Sequence, residues 1–282
     1  MKLLSKDQYY KAAKPLEAVS FNHLFARAVV EQKIEGSIYT DNSDAPASFY
    51  VVHPYGMSLL FGNSKNEEFN AQLIDYLINK NKIRNRIEWM QVYPEDWSAK
   101  LLTSLGDQLL TKKQKDEGRI PESGFAKVEE QTRVNFKFDP NIYNEFRKRN
   151  RVCDAEIFRT QEDEFQNMPG TVVPMYFWQN ASQFLSDGIG FSLRFNSELA
   201  CTAFSAFIDK GQLELGIESA SQFRGKGFAM HTCEALIDYC LEYGYEPVWS
   251  CRLENTGSYL LAQKLGFVPV HYHPFYKVGH IT

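Results

Sequence analysis

After residue 190, apolar runs alternate with short polar segments. There "FSLRF", "LACTAFSAFI" and "LELGIES" are apolar runs, separated by the polar turns "NSE" and "DKGQ". Runs of this length joined by short polar turns are typical of antiparallel hairpins. The pattern therefore predicts three consecutive strands.

Beyond residue 227 the apolar positions follow the spacing of a helix. Five residues recur on one helical face and Gly244 follows as a C-terminal stop; the five are Ala229, Cys233, Leu236, Ile237 and Cys240. A short strand "PVWSC", a helix "SYLLAQKL" and a strand "FVPVHYH" come next. The C-terminal half is therefore predicted to be a mixed α/β fold, with hairpins first and a strand-helix-strand unit after them.

The first half carries its own apolar pattern, and a polar segment separates it from the second. Residues 112–130, "KKQKDEGRIPESGFAKVEE", combine charge, Gly and Pro and predict a connector. A chain of 282 residues is long for one small domain. We expect an N-terminal α/β domain over residues 1–118 and a second domain over residues 119–282.

Short strings in the two halves resemble each other. "LIDYL" at 73–77 is similar to "LIDYC" at 236–240, and "SLGDQL" at 104–109 is similar to "KLGFVP" at 264–269. Either the likeness is chance or the N-terminal domain is a degenerate copy of the second domain.

Composition narrows the class of protein. The chain is 44% hydrophobic, 23% charged and 14% aromatic, as in an ordinary globular protein. Its net charge of −4 gives no basic footprint for nucleic acid. The sequence lacks an apolar run long enough to span a membrane and lacks the apolar core of a signal peptide. We expect a cytoplasmic protein without nucleic-acid or membrane partners.

The cysteines and histidines do not predict a metal site. The five cysteines form no CxxC pair, which favours reduced, packed thiols; they are Cys153, Cys201, Cys233, Cys240 and Cys251. His271 and His273 share one side of a predicted strand, but no third ligand is near in sequence. We expect a packed or substrate-facing pair and no metal.

Two glycines stand out in "SQFRGKGFAM", residues 221–230, directly before the predicted helix. Successive backbone N–H groups that open into a helix N-terminus bind anions, because unpaired donors and about half a positive charge lie there. Gly227 allows close approach of a ligand, and Gly225 tolerates a positive φ. Arg224 and Lys226 add positive charge. The stretch predicts a phosphate-binding loop.

Several loop types compete for this interpretation. A Walker A loop is excluded, since the chain lacks GxxxxGK[ST]. A dinucleotide fingerprint would require glycine where Met230 stands and a parallel strand before it, although Glu254 lies near the place of a ribose-binding acid. A solvated loop without a ligand is the third alternative.

The string Arg224–Ala229, "RGKGFA", matches the [QR]xxGx[GA] signature of the GCN5-related N-acetyltransferase (GNAT) superfamily. "LELGIESASQFRGKGFA" is similar to the family's fourth strand, loop and third helix, and "WSCRLENTGSYLLAQKLGF" to its fifth strand and fourth helix. The resemblance covers about residues 170–282. The strings "GIES", "EPVWSCRLEN" and "GSYLLA" resemble a bacterial branch with an additional N-terminal region.

The resemblance implies a site for coenzyme A between the fourth and fifth strands. Backbone groups of Ile217 and Ser219 would pair with the pantetheine arm, as in strand addition. The loop would hold the pyrophosphate through Arg224, Gly225, Lys226, Gly227, Phe228 and Ala229. Asn255 would reach the same arm or serve as a helix N-cap, and the two roles are compatible.

Acetyl transfer to an amine requires a base and a proton donor for the leaving thiolate. Glu214 and Glu218 share one strand face, and each is a candidate base or a solvated strand residue. Many family members carry a tyrosine three residues before "LGF", where this chain has Ala262. Ser258, one turn earlier on the same helical side, is the candidate donor and cofactor contact, or else a helix-start residue.

The resemblance implies an acetyl-CoA dependent N-acetyltransferase that acts on a small-molecule or protein amine by direct attack in a ternary complex, without a metal. A non-catalytic coenzyme A binding or sensing protein and a transferase for another acyl donor are the alternatives. The sequence leaves the acceptor and homodimerisation open.

Overall fold

The structure is a computed structural model, and it describes residues 1–119, 126–149 and 155–279. Cys153 lies outside the described residues. The strands in the described part are β1 (Lys2–Leu3), β2 (Ser37–Thr40), β3 (Ser48–Val52), β4 (Met57–Gly62), β5 (Glu88–Tyr93), β6 (Leu109–Leu110), β7 (Val128–Phe138), β8 (Glu156–Arg159), β9 (Gly190–Phe195), β10 (Glu198–Asp209), β11 (Gln212–Ser219), β12 (Glu246–Arg252) and β13 (Phe267–Val278). The α-helices are α1 (Ala13–Leu16), α2 (Leu24–Val30), α3 (Glu67–Leu77), α4 (Asp96–Leu105), α5 (Lys112–Asp116), α6 (Pro140–Arg149), α7 (Glu162–Asn167), α8 (Ala181–Asp187), α9 (Phe228–Glu242) and α10 (Thr256–Lys264).

The mixed α/β fold predicted for the C-terminal half is confirmed. The three predicted strands are β9, β10 and β11, and each neighbouring pair is antiparallel. Asn196 and Ser197 link the first pair with φ values of 51° and 67°, and Lys210 and Gly211 link the second with 46° and 79°. Two successive positive φ angles match the right-handed twist of a two-residue hairpin turn. The helix-strand-helix-strand order that follows is α9, β12, α10 and β13.

The chain divides into two compact units. The first comprises Met1–Arg133, Arg252–Glu254 and the stretch that begins at Tyr272; the second comprises Val134–Cys251 and Asn255–His271. The domain boundary expected after residue 118 stays a prediction about independent folding. The expected connector is not structureless, because its first part forms α5, which Thr111 and Gln114 cap reciprocally.

The second unit is built around strands in the order β8, β9, β10, β11 and β12. All neighbours are antiparallel except β11 and β12, which are parallel and joined by α9. The predicted apolar face of α9 is buried, and Cys233, Leu236, Ile237 and Cys240 are inaccessible to solvent. Gly244, with φ of 75°, follows the helix as expected.

The first unit follows the same plan. Its strands β2, β3 and β4 are antiparallel neighbours, and β5 then lies parallel to β4 after the crossover helix α3. The C-terminal end of β13 pairs with the other side of β5. The similar strings "LIDYL" and "LIDYC" lie in α3 and α9, the two crossover helices. This shared order supports a repeat.

A buried histidine lies at the end of β3 in the first unit. The Nδ1 atom of His53 accepts a hydrogen bond of 3.0 Å from the backbone N–H of Tyr55. Burial, with a smaller contribution from the Arg86 charge, lowers the pKa of His53 to about 3. The imidazole is therefore neutral at physiological pH.

Candidate functional site

The parallel strands β11 and β12 pair only at their beginnings. Their register runs from Gln212 opposite Glu246 to Glu214 opposite Val248, while β11 continues to Ser219 and β12 to Arg252. In the first unit, by contrast, β4 and β5 remain paired up to Phe61 opposite Tyr93. The second unit therefore has a cleft between its parallel strands, and the first unit has none at the corresponding place.

One edge of β11 faces this cleft. The N–H of Ala220 donates to Ala200 on β10 at 3.0 Å, so that residue faces β10. Because backbone groups alternate between the two edges of a strand, Ile217 and Ser219 face the opposite edge. Both backbone groups of Ser219 already have partners: its carbonyl accepts from Arg224 Nε at 3.2 Å, and its N–H donates to Glu218 Oε1 at 3.2 Å. The edge predicted to bind pantetheine is thus the edge that opens to the cleft.

The glycine loop lies between two buried aromatic anchors. Phe223 ends a short 3₁₀ helix, Phe228 begins α9, and both belong to one apolar cluster. The residues between them are exposed. Gly225 and Gly227 have φ values of 79° and 84°, and a Cβ at either position would meet no atom within 4 Å. The anchors hold the loop, while its backbone is accessible to a ligand.

The loop presents a row of backbone donors. In the described part of the chain, the N–H groups of residues 225–229 have no hydrogen-bond acceptor. Gly227 is the N-cap of a helix of 15 residues, so the positive end of the helix dipole adds to these donors. Lys226 Nζ lies 5.1 Å from the ring centre of Phe223. The donors and charges fit an anion such as a diphosphate, and the binding of one by residues 224–229 stays a prediction.

Asn255 and Ser258 lie at the start of α10, after the strand on the other side of the cleft. The Asn255 side chain accepts from the Ser258 backbone N–H at 3.3 Å, so its N-cap role is confirmed. Ser258 Oγ accepts from Trp249 Nε1 at 3.1 Å, which leaves its own proton available to donate. Ala262 is fully buried on the same helix. The cofactor and donor roles of Asn255 and Ser258 stay predictions.

The two carboxylates on β11 have different surroundings. Glu214 is 5% exposed and lies at the last paired position of the cleft floor, opposite Val248. Glu218 is 7% exposed and lies near the end of the strand, where its carboxylate binds backbone N–H groups and Arg224. Their shared strand face is as predicted, but neither is a solvated strand residue. The assignment of a base stays a prediction.

Sequence reasoning missed three partners of the predicted residues. Thr171 and Val172 donate to Glu218 from a loop that carries no motif. Trp249 orients Ser258, and its only sequence signal is a large residue in a short strand. Thr171 and Val172 lie 47 and 46 residues from Glu218, so local patterns could not identify them. Trp249 is nine residues from Ser258 but lies on a different element.

His271 and His273 have different surroundings. His273 is buried, bonds Gln91 Oε1 at 2.8 Å and stacks on Phe21 with ring centres 4.2 Å apart, whereas His271 is exposed. Within the described residues, no three His, Cys, Asp or Glu side chains are grouped to hold a metal. Among the helices of these residues, none has the length and apolar character needed to cross a membrane.

Known proteins resemble this chain over its whole length. The family described as GNAT acetyltransferase matches residues 15–276. An uncharacterised N-acetyltransferase of Bacillus subtilis (strain 168), YdfB, is 23% identical over 273 residues, which are 96% of each chain.

Solved structures share the fold. A GCN5-related N-acetyltransferase-like protein from Streptococcus suis 89/1591 matches with a TM-score of 0.68 at 17% identity, over 96% of this chain and 98% of that one. A tandem GNAT protein from the clavulanic acid biosynthesis pathway matches with a TM-score of 0.57 at 8% identity, over 99% and 98%. The chain belongs to the GNAT acetyltransferase family and is an acetyltransferase.

Proposed function

We propose that the protein transfers the acetyl group of acetyl-CoA to an amine by direct attack in a ternary complex. The observation that carries this proposal is the combination of two features in the second unit. A row of N–H donors that have no acceptor among the described residues lies at the start of α9, and β11 is no longer paired with β12 along the edge that leads to it. A ligand with a diphosphate at one end and an extended amide chain at the other uses both features.

The loop supplies most of the binding. Each well-formed hydrogen bond to a charged group contributes about 1.5 to 3 kcal/mol. Arg224 and Lys226 stand beside the donor row and add attraction to the phosphates. The backbone of Ile217 and Ser219 would orient the amide groups of the arm, which directs the thioester toward the floor of the cleft. Ser219 would exchange its present bonds with Glu218 and Arg224 for those to the arm.

Chemistry at the thioester requires two proton transfers. The amine nitrogen attacks the thioester carbonyl carbon, the carbon–sulfur bond breaks, and the amine loses a proton to a base. Glu214 and Glu218 are the candidate bases on the face of β11. Ser258 is the candidate donor to the thiolate or to the carbonyl oxygen, and Trp249 holds its hydroxyl in place.

The setting that we propose for this activity is the cytoplasm. None of the four cysteines within the described residues forms a disulfide, and each is buried. Burial raises the pKa of Cys201 to about 11, so this thiol stays protonated and is not a candidate nucleophile at neutral pH. A covalent acetyl-cysteine intermediate at this residue is therefore not part of the proposed route.

The test combines binding and turnover. Calorimetry with coenzyme A measures affinity, and a thiol reagent follows coenzyme A release from acetyl-CoA in the presence of a panel of small amines and amine-bearing peptides. We expect binding and release that depends on one class of amine, with intersecting initial-velocity lines as for a ternary complex. Parallel lines would exclude direct attack.

Two further outcomes separate the alternatives. Tight binding of coenzyme A without amine-dependent release, over a wide panel, would contradict the proposed transfer and favour a sensing role. Release from longer acyl donors but not from acetyl-CoA would move the proposal to another acyl group. Failure to bind any coenzyme A thioester would contradict the assignment of the loop.

A further inference from the structure

The carboxylate of Glu218 connects the end of β11 with a distant loop of the second unit. Its Oε2 atom accepts from the backbone N–H of Thr171 at 2.8 Å and from that of Val172 at 3.0 Å. Its Oε1 atom accepts from the backbone N–H of Ser219 at 3.2 Å and from Arg224 Nη2 at 3.2 Å. The Thr171 hydroxyl is a further donor to Oε2 at 3.5 Å. Both oxygens are therefore used, and three of the five donors are backbone groups.

Burial makes this connection strong. The Glu218 side chain is 8% exposed, whereas the Arg224 side chain is 65% exposed. A buried carboxylate is retained at low cost only if several donors compensate for the water that it has lost. The N–H groups of Thr171 and Val172 in turn lose their acceptor if the carboxylate is removed. The loop and the strand end are thus held together by one side chain.

Gly170 fits the same arrangement. Its φ is +139°, and a Cβ at this position would lie 2.4 Å from Glu218 Cγ and 2.5 Å from Glu218 Cδ. A residue with a side chain would therefore displace the carboxylate from the loop. The backbone at Gly170 has the shape that lets Thr171 and Val172 both point at one oxygen.

We infer that Glu218 is a positioning residue, which anchors the loop of residues 170–172 to the cofactor loop through the ion pair with Arg224. The link to cofactor binding rests on the proposed function, because Arg224 begins the loop assigned to the pyrophosphate. The role differs from that of a general base. A carboxylate whose two oxygens already accept five hydrogen bonds has little capacity left to accept an amine proton.

Hydrogen exchange of the two loop amides tests the anchor without any ligand. In Glu218→Ala, we expect exchange at Thr171 and Val172 to accelerate about tenfold or more, because both amides lose a charged acceptor. Glu218→Gln keeps one acceptor oxygen and should restore most of the protection. Gly170→Ala should accelerate exchange as well, since the added Cβ pushes the intact carboxylate away. Unchanged exchange in Glu218→Ala would overturn the inference.

The matched control is Glu214→Gln, which removes the other buried carboxylate of the same strand face. It should leave exchange at Thr171 and Val172 within about twofold of the unmodified protein, because Glu214 lies four residues away on β11. Equal acceleration in this control would show that the loop responds to general loosening of the unit, and would contradict a specific anchor.

Turnover separates positioning from base catalysis. With an accepted amine, a base predicts that Glu218→Gln is as inactive as Glu218→Ala, because neither side chain accepts the proton. Positioning predicts that Gln retains at least about tenfold more kcat/KM than Ala. Equal losses in the two variants would overturn the inference. If no coenzyme A thioester is turned over at all, the proposed function fails, whereas the exchange experiment still decides the anchor.

Discussion

Alanine at Gly227 tests whether the backbone of the glycine loop binds the cofactor. Gly227 has φ of +84°, and its added Cβ would meet no protein atom within 4 Å. The expected cost to folding is therefore conformational, about 1 to 2 kcal/mol for a residue with a side chain in the left-handed region. Relaxation of that strain would rotate the N–H groups out of the donor row.

Gly244 provides a matched control at the other end of α9. Its φ is +75°, and a Cβ there also meets no atom within 4 Å. Gly244→Ala should therefore lower the free energy of unfolding by a similar amount, about 1 to 2 kcal/mol. The two variants differ in their distance along the helix from the donor row, not in the kind of strain.

The expected difference is in coenzyme A affinity. Loss of one or two charge-assisted hydrogen bonds, each about 1.5 to 3 kcal/mol, corresponds to a Kd that rises at least about tenfold in Gly227→Ala. Gly244→Ala should leave Kd within about threefold. Calorimetry measures Kd, and urea unfolding measures stability. Equal Kd values in the two variants would refute the assignment of residues 225–229 as the phosphate cradle.

Three other substitutions test two hydrogen bonds and one buried histidine. Ser258→Ala leaves the buried Trp249 N–H without its acceptor, so we expect the free energy of unfolding to fall by about 1 kcal/mol in urea unfolding. Coenzyme A affinity should be retained and turnover reduced. Unchanged turnover would exclude Ser258 as the proton donor. Tyr143→Phe removes a hydroxyl that donates to Asp238 at 2.6 Å, and unfolding should become easier by about 1 to 3 kcal/mol; no change would exclude a stabilising role for that bond. The pKa of His53 is lowered from 6.5 to about 3, so its contribution to stability is present above pH 6.5 and is lost as the pH falls toward 3, by about 5 kcal/mol at most. His53→Asn should flatten this part of the pH profile of unfolding, and an unaltered slope would refute the assignment.

Local features of the sequence determined the elements from β9 onward and the shape of the glycine loop. Hairpin turns, the apolar face of α9 and the two glycines are properties of short windows, because helix periodicity and positive φ depend on neighbouring residues. The Asn255 cap was likewise readable from its place before a helix. For the N-terminal domain the sequence predicted an α/β fold and left open whether it is a degenerate copy of the second domain, because its loop between β4 and α3 lacks the paired glycines.

Only the tertiary structure decided how far the parallel strands stay paired and what each carboxylate contacts. The divergence of β11 from β12 depends on packing across the sheet, and a strand pattern carries no information about where pairing stops. The sequence could not distinguish Glu218 from Glu214, because residues an even number of positions apart lie on the same face of a strand. A loop some 46 residues earlier in the chain, at Val172, gives Glu218 its partners. Sequence periodicity determines which face a side chain occupies, whereas the chain's long-range packing decides which donors meet it there.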